Sequence, residues 1–281
     1  MVRASVRTHF RKRIAVSLVF LFALGTSGPR MVHAATLTVS NTNDNGAGSL
    51  RQAIFDASPG DTITFSSALT GQTITLTSGE LVLDKNLTVT GRGASQLAIS
   101  GNHASRVFHA LNYVTTTIQG LTIRDAYRRW NFYDNFGGGI KADSFGALTV
   151  NNSAFIGNEC EGGRGGAIMA DCDAFPCSEL TVNNSTFSSN SASFPYGGWE
   201  GQGGALAAFY GEMWINDSTF SGNSASAGGG GIIADAYRTA SVAHIKNSLI
   251  ADSTLGGNCA GDSVIATGVN FSGTRRFHGA Q

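Results

Sequence analysis

Asp143, Asp171 and Asp235 occupy one recurring place in the chain, three residues past an aliphatic that follows a run of glycines. Phe209 holds the same place between the second and the third. If the repeats stack as strands, Asp143 and Asp171 fall on neighbouring layers about 5 Å apart. A carboxylate pair at that separation can share acid, base and nucleophile roles on a glycosidic bond, or hold Ca2+. Aspartates at recurring turns also cap the backbone through their own side chains, which needs no ligand. Both readings stand at these three positions, a catalytic set or a set of turn caps.

A second group is aromatic. Tyr127, Trp130, Phe132, Tyr133 and Phe136 crowd one loop beside Arg128 and Arg129. Phe194, Tyr196 and Trp199 crowd another, two repeats on, and the loop between them is short. Rings on loops along one edge of a rigid coil can stack sugars or anchor a protein. They can equally fold down over apolar surface. Tyr127, Trp130, Tyr133, Tyr196 and Trp199 are the expected ligand-binding residues. His103, His109, His244 and His278 are scattered and read as structural or solvated. No Cys-x-x-Cys or histidine pair has zinc-site spacing, so no metal ligands are assigned; no cofactor is expected beyond a possible Ca2+.

The elements that must position these groups come from a repeat. Gly138-Gly139-Ile140, Gly165-Gly166-Ala167-Ile168, Gly203-Gly204-Ala205-Leu206 and Gly229-Gly230-Gly231-Ile232 form one phrase. Asn-Ser-x-Phe-x-x-Asn forms the other, with its apolar residue at Phe155, Phe187, Phe220 and Ile250, a period of 32, 33 and 30. A fixed period of this length marks a repeat architecture. Each repeat holds three short alternating strands and three turns. Ile140, Ile168, Leu206 and Ile232 mark one inward column; Leu148 with Val150, Leu180 with Val182 and Trp214 with Ile215 mark a second strand; Phe155, Phe187, Phe220 and Ile250 mark a third. One such rung cannot bury its own apolar side chains, but a stack of rungs can. The paired glycines suit a tight corner, and the asparagine three past each Phe can form an amide ladder. The expected fold is all-β: a single-stranded right-handed parallel β-helix of about 30–33 residues per rung. An antiparallel sandwich would not bring aligned phrases back at this period.

A short capping helix precedes the coil. Leu50, Ala53, Ile54 and Ala57 share one face, and Ser49 with Gln52 forms a capping box. Residues 1–34 have a basic leader, an apolar run over Ile14–Leu24 and small residues at Val32-His33-Ala34, the layout of a secretory signal peptide. The division is thus signal 1–34, cap strand and helix 35–60, coil 61–270 and an irregular, truncated end at 271–281. Removing residues 1–34 takes six basic residues and no acidic one, leaving 13 against 19 and a net charge of −6. That argues against nucleic acid as partner. No later apolar run is long enough to span a bilayer as a helix, and a monomer is expected. Cys172 and Cys177 can close on each other, or either can pair with Cys160. Cys160 and Cys259 lie about three rungs apart, too far for a disulfide, which leaves Cys259 without an evident partner.

The Gly-Gly-Ala-Ile and Phe-x-x-Asn phrases are similar to the repeats of the polymorphic outer-membrane proteins and related bacterial β-helix surface proteins. Asn43-Asp44 and Gly48-Ser49-Leu50-Arg51-Gln52-Ala53-Ile54 resemble the CSLREP motif near the start of many such proteins. Gly48 stands at its cysteine position and Gln52 at its glutamate. The resemblance covers roughly 36–270 and implies a bacterial protein, secreted or on the cell surface, with a pectin-lyase-like coil and a helix over its first rung. Pectate lyases and polygalacturonases use the same coil with clustered acidic residues. Trp214-Ile215-Asn216-Asp217 resembles a lyase strand, yet Asn-Thr-Asp, Asp-Asp and Arg-Ile-Lys are absent, and His244-Ile245-Lys246 is only near the last.

The function expected is therefore a binding or adhesion scaffold, for polysaccharide or a cell-surface protein, with no chemistry of its own. The alternative is a polysaccharide lyase or glycoside hydrolase built on Asp143, Asp171 and Asp235.

Overall fold

The protein is described here from a computed structural model, which describes residues 34–129, 136–144, 146–171, 179–195, 201–235, 241–261, 263–268 and 270–272. The proposed signal segment and end segment thus lie almost wholly outside the described residues, as do Cys172 and Cys177. The chain from Ala34 onward is one compact unit.

The fold is the expected all-β parallel β-helix of about seven turns, consistent with a right-handed coil. Among the described residues its strands form sheets of nine, eight and seven strands, with a short fourth sheet of four. Neighbouring strands are parallel and come from successive rungs, as in Leu148 with Leu180, Phe155 with Phe187 and Ile140 with Ile168. The rungs before Ile123 are shorter than those after it, since Ile74, Ile99 and Ile123 pair in turn.

The phrase built on Asn-Ser-x-Phe-x-x-Asn explains itself rung by rung. Asn152, Asn184, Asp217 and Asn247 take left-handed φ values of 50, 45, 51 and 47°. Asn and Asp tolerate that region because their short polar side chains bond locally. The following serines are buried, and the hydroxyls of Ser185, Ser218 and Ser248 each accept from the backbone N–H of the serine one rung before, Ser153, Ser185 and Ser218 in turn. Phe155, Phe187 and Phe220 stack with centroids 4.8 and 4.7 Å apart, a contact worth about 0.5–1.5 kcal/mol beyond the area each ring buries. Asn158 donates to Asn190 Oδ1 and Asn190 to Asn223 Oδ1, both at 2.9 Å, in the expected amide ladder. All three are fully buried, so breaking one link strands a polar group at a cost of about 1–3 kcal/mol.

The glycine phrase needs a small shift of register. Ile140 pairs with Ile168, so Gly137, not Gly138, stands opposite Gly165. Gly137, Gly165, Gly203 and Gly229 have φ of 64, 71, 67 and 62°. The glycine after each has no room for a side chain: a Cβ on Gly166 would sit 2.1 Å from the Gly204 carbonyl oxygen.

Trp214 and Ile215 share the strand Glu212–Asn216, and pairing decides which of them points inward. The buried residues of that strand are Met213 and Ile215, and Met213 pairs with Leu180. Neighbouring residues on a strand face opposite sides, so Trp214 and Ile215 cannot share the core. Trp214 points outward and is 37% exposed.

Helix α1, Leu50–Asp56, buries Leu50, Ala53 and Ile54, and Ser49 caps it by accepting from Gln52 N at 3.1 Å. Only half the capping box forms: the Gln52 amide turns forward to Asp56 Oδ1, 2.8 Å away. Lys85 reaches the carbonyl oxygens of Ile54, Phe55 and Ala57, where a cation complements the helix C-terminus. Cys160 and Cys259 are both buried and lie on different sheets.

Candidate functional site

The seven-stranded sheet carries the candidate chemistry. Val82, His109, Lys141, Met169, Ala207, Ile233 and Ala260 pair in register along it. They alternate with the inward column of Leu81, Phe108, Ile140, Ile168 and Leu206 and so face outward. One residue past the strands come the aspartates. Asp143 follows Ala142 and Asp171 follows Ala170, and those alanines are paired, with Asp171 N donating to Ala142 O at 2.9 Å. The two aspartates therefore stand at equivalent places on adjacent rungs. Asp235 pairs with Phe209, so a phenylalanine rung separates it from Asp171.

Asp143 does not stand alone. Its Oδ2 takes His109 Nε2 at 2.9 Å and its Oδ1 takes Lys141 Nζ at 2.9 Å. The other imidazole nitrogen, Nδ1, meets Glu80 Oε1 at 3.2 Å, and Glu80 Oε2 accepts from Arg106 Nη1 at 2.7 Å. Arg106 is fully buried and also donates to the carbonyl oxygens of Gly137 and Phe136, at 2.8 and 2.6 Å. It thereby fastens the glycine corner to the coil. Lysine, aspartate, histidine, glutamate and arginine thus form one line across three rungs.

The line fixes its own protonation. A neutral imidazole has one N–H, so it cannot donate to two carboxylates at once; an imidazolium can. Burial alone pulls the His109 pKa down, but the bonds to Asp143 and Glu80 outweigh it and raise the value above 6.5. Burial would raise Asp143, and the bonds from His109 and Lys141 overcome that and bring it from 3.8 to about 2. With Arg106 and Lys141 the cluster holds three cations against two carboxylates.

Sequence reasoning had passed over Glu80, Arg106 and Lys141 and had read His109 as structural or solvated. The signal that finds them is the aligned column of Val82, His109 and Lys141, visible only once the shorter rungs are set in register.

Farther along the same face the chemistry becomes apolar. Met169, Ala207, Phe209, Ile233 and Ala260 form a small second core against which Phe136 and Tyr210 pack. The Arg164 guanidinium lies 3.8 Å over the Phe209 ring. Of the expected ligand-binding aromatics, Tyr127 is half-buried on the four-stranded sheet, and its hydroxyl donates to Glu161. That bond, then burial, pushes the phenol up to about 12. Trp130, Tyr133, Tyr196 and Trp199 lie outside the described residues.

A cavity of about 250 Å³ opens between α1 and the first rung of this sheet, lined by Arg51, Phe55, Glu80, Val82 and Lys85 among others. Arg51 is held by Asp44 and by the carbonyl oxygens of Gly79 and Glu80. Asp44 is brought from 3.8 to about 2: burial raises it, and bonds from Arg51, Ser78 and Thr77 more than offset that. Among the described residues no three His, Cys, Asp or Glu side chains converge as a metal site. Nor, among them, is any helix long and apolar enough to cross a membrane.

On the nine-stranded sheet, Trp214 and His244 pair in register and their rings stack, 3.8 Å apart and 7° from parallel.

Comparison with known proteins gives one repeat match and distant similarity to two solved structures. Residues 217–235 match the Chlamydia polymorphic membrane protein repeat; they run from left-handed Asp217 through Phe220 and Asn223 to the strand Ile232–Asp235. No curated protein matches the chain. Among solved structures it is similar to a mutant of the PL6 family alginate lyase AlyGC, at 14% identity over 85% of this chain and 39% of that one, with a TM-score of 0.44. It is also similar to the ORF18 protein of Geobacillus virus E2, at 12% identity over 86% of this chain and 62% of that one, with a TM-score of 0.30. The chain spans less than two thirds of the length of either structure.

Proposed function

We propose that the chain is a secreted or cell-surface β-helix scaffold that binds, as an adhesion module, with carbohydrate as its first candidate ligand. The observation that carries this reading is the closure of the charged line on itself. Each carboxylate of the Glu80–His109–Asp143 line is bonded to a cation as well as to the imidazole. A carboxylate brought to about 2, as Asp143 is, is a poor general base, and an imidazolium locked between two acceptors is a poor acid. The line reads as an ion-pair network that fixes three rungs. The repeat matched at residues 217–235 comes from a family named for its membrane proteins, which supports surface placement.

The second reading is a polysaccharide lyase or glycoside hydrolase using Asp143, Asp171 and Asp235. The observation in its favour is the placing of Asp143 and Asp171 on adjacent rungs with Lys141 against Asp143. A Ca2+ ion would belong to this reading, held by the paired aspartates.

A polysaccharide panel separates the two. Unsaturated products and reducing ends are followed with and without Ca2+, and retention on the same glycans is scored. Retention without turnover is expected. Turnover abolished by Asp143→Ala or Asp171→Ala would make the protein an enzyme. Retention lost on Trp130→Ala or Trp199→Ala would place the ligand on the loop aromatics.

A further inference from the structure

The outer face of the nine-stranded sheet carries one step. Thr149, Thr181, Trp214 and His244 follow one another in register on successive rungs. Rings that stack between rungs, as Trp214 and His244 do, stand across the coil axis. His244 covers one face of the indole. The other looks back over the preceding rung, where Thr181 is far smaller. The result is an aromatic wall above a threonine floor.

Polar groups border the step on both sides. Asn183, two residues past Thr181 on the same face, donates to Asn151 Oδ1 and accepts from Asn216, both at 2.9 Å. A side-chain amide has two donors and two lone pairs, so Asn183 keeps capacity for a further donor and a further acceptor bond. Two residues before Thr181 and Trp214 stand Glu179 and Glu212, both exposed. Residues two apart on a strand lie about 7 Å from each other, the scale of one pyranose ring. The sheet itself does not call for an indole here, because threonine fills the place at Thr117, Thr149 and Thr181.

We propose that this step is a subsite for an uncharged sugar of a neutral polysaccharide, with Trp214 as the stacking residue. The proposal rests on the binding reading above and narrows its ligand class. The indole takes the C–H face of the sugar, while Thr181, Asn183 and Glu179 take its hydroxyls. An aromatic wall with a few placed polar groups is the usual make-up of such a site. Glu179 and Glu212 set the class: two carboxylates beside the wall repel a uronate and accept hydroxyl donors from a neutral sugar. Acidic polysaccharides are thereby disfavoured.

The test is affinity gel electrophoresis of the purified protein in hydroxyethylcellulose, glucomannan or xylan, with alginate and polygalacturonate as acidic counterparts. At least one neutral polymer is expected to retard the protein, and Trp214→Ala to weaken that retardation by about tenfold or more, while Trp214→Phe keeps most of it. Thr181→Arg, which fills the floor without removing the wall, is expected to abolish it. This second variant decides the matter if Trp214→Ala fails to fold by circular dichroism. Retardation by a neutral polymer that survives both Trp214→Ala and Thr181→Arg overturns the subsite and leaves carbohydrate binding standing elsewhere on the coil. Retardation by acidic polymers alone overturns the ligand class. No retardation by any polymer overturns the subsite together with the carbohydrate reading beneath it.

Discussion

The seven-stranded and nine-stranded sheets wrap the same core, yet their outer faces differ in how fully their polar groups are spent. On the first, Arg106, Glu80, His109, Asp143 and Lys141 satisfy one another across three rungs. On the second, the Trp214 step leaves an indole face and part of an amide ladder turned to solvent. The crowded face has its charges paired with one another; the plain one has the room. In a coil whose backbone is indifferent to what points outward, a cluster of charges can serve the rungs, and a ligand is better sought where bonding capacity is left over.

The largest effect that would break this contrast lies at Arg106. Arg106→Met leaves Glu80 without its buried cation and two corner carbonyls without their donor. Urea unfolding is expected to show a loss of about 3–5 kcal/mol. A change near zero would mean that the line does not hold the rungs. Asp143→Asn comes next. The folded-state value of about 2 lies below the ordinary 3.8, so Asp143 contributes stability above pH 4 that is lost as the pH falls towards 2. At roughly 1.4 kcal/mol per unit, that is on the order of 2 kcal/mol at neutral pH. The variant should be weaker at pH 7 and show a shallower acid transition.

His109 works in the opposite sense. Its value is raised, so its contribution is full below about pH 6.5 and disappears as the pH rises through the raised folded-state value. Stability followed from pH 6 to 10 should fall in the wild type and fall less in His109→Gln. The smallest effect is expected on the other face. Trp214→Ala should change unfolding by about 1 kcal/mol or less, since the ring is partly exposed on a surface strand. A loss as large as that at Arg106 would make Trp214 a structural residue.

How legible these features were followed from their periodicity. The columns of Phe155, Phe187 and Phe220, and of Asn158, Asn190 and Asn223, were plain because one period and one phrase carry them. The helix was plain because Ser49 and an i, i+3, i+4 face mark it. The charged line was not. The bonds that join it from rung to rung span 26 to 34 residues, and its members come partly from the shorter rungs, where no phrase repeats and the register is set only by pairing. Trp214 and Ile215 mark a strand in the sequence without saying which of them points inward; the period of two, applied from Leu180 through Met213, puts Trp214 outside. The aspartate column could be read as a column, but not the partners that occupy Asp143, because Lys141 and His109 sit on the face that the repeat leaves unconstrained.

The most direct measurement is an NMR titration of histidine ring shifts in the intact protein, with His109 assigned through His109→Gln, with and without a retained glycan. His109 is expected to titrate above its ordinary 6.5, and its shift to be unmoved by the glycan. Titration at or below 6.5, or a shift on glycan addition, would show that the line is open to solvent or ligand and would contradict its assignment as a closed structural network.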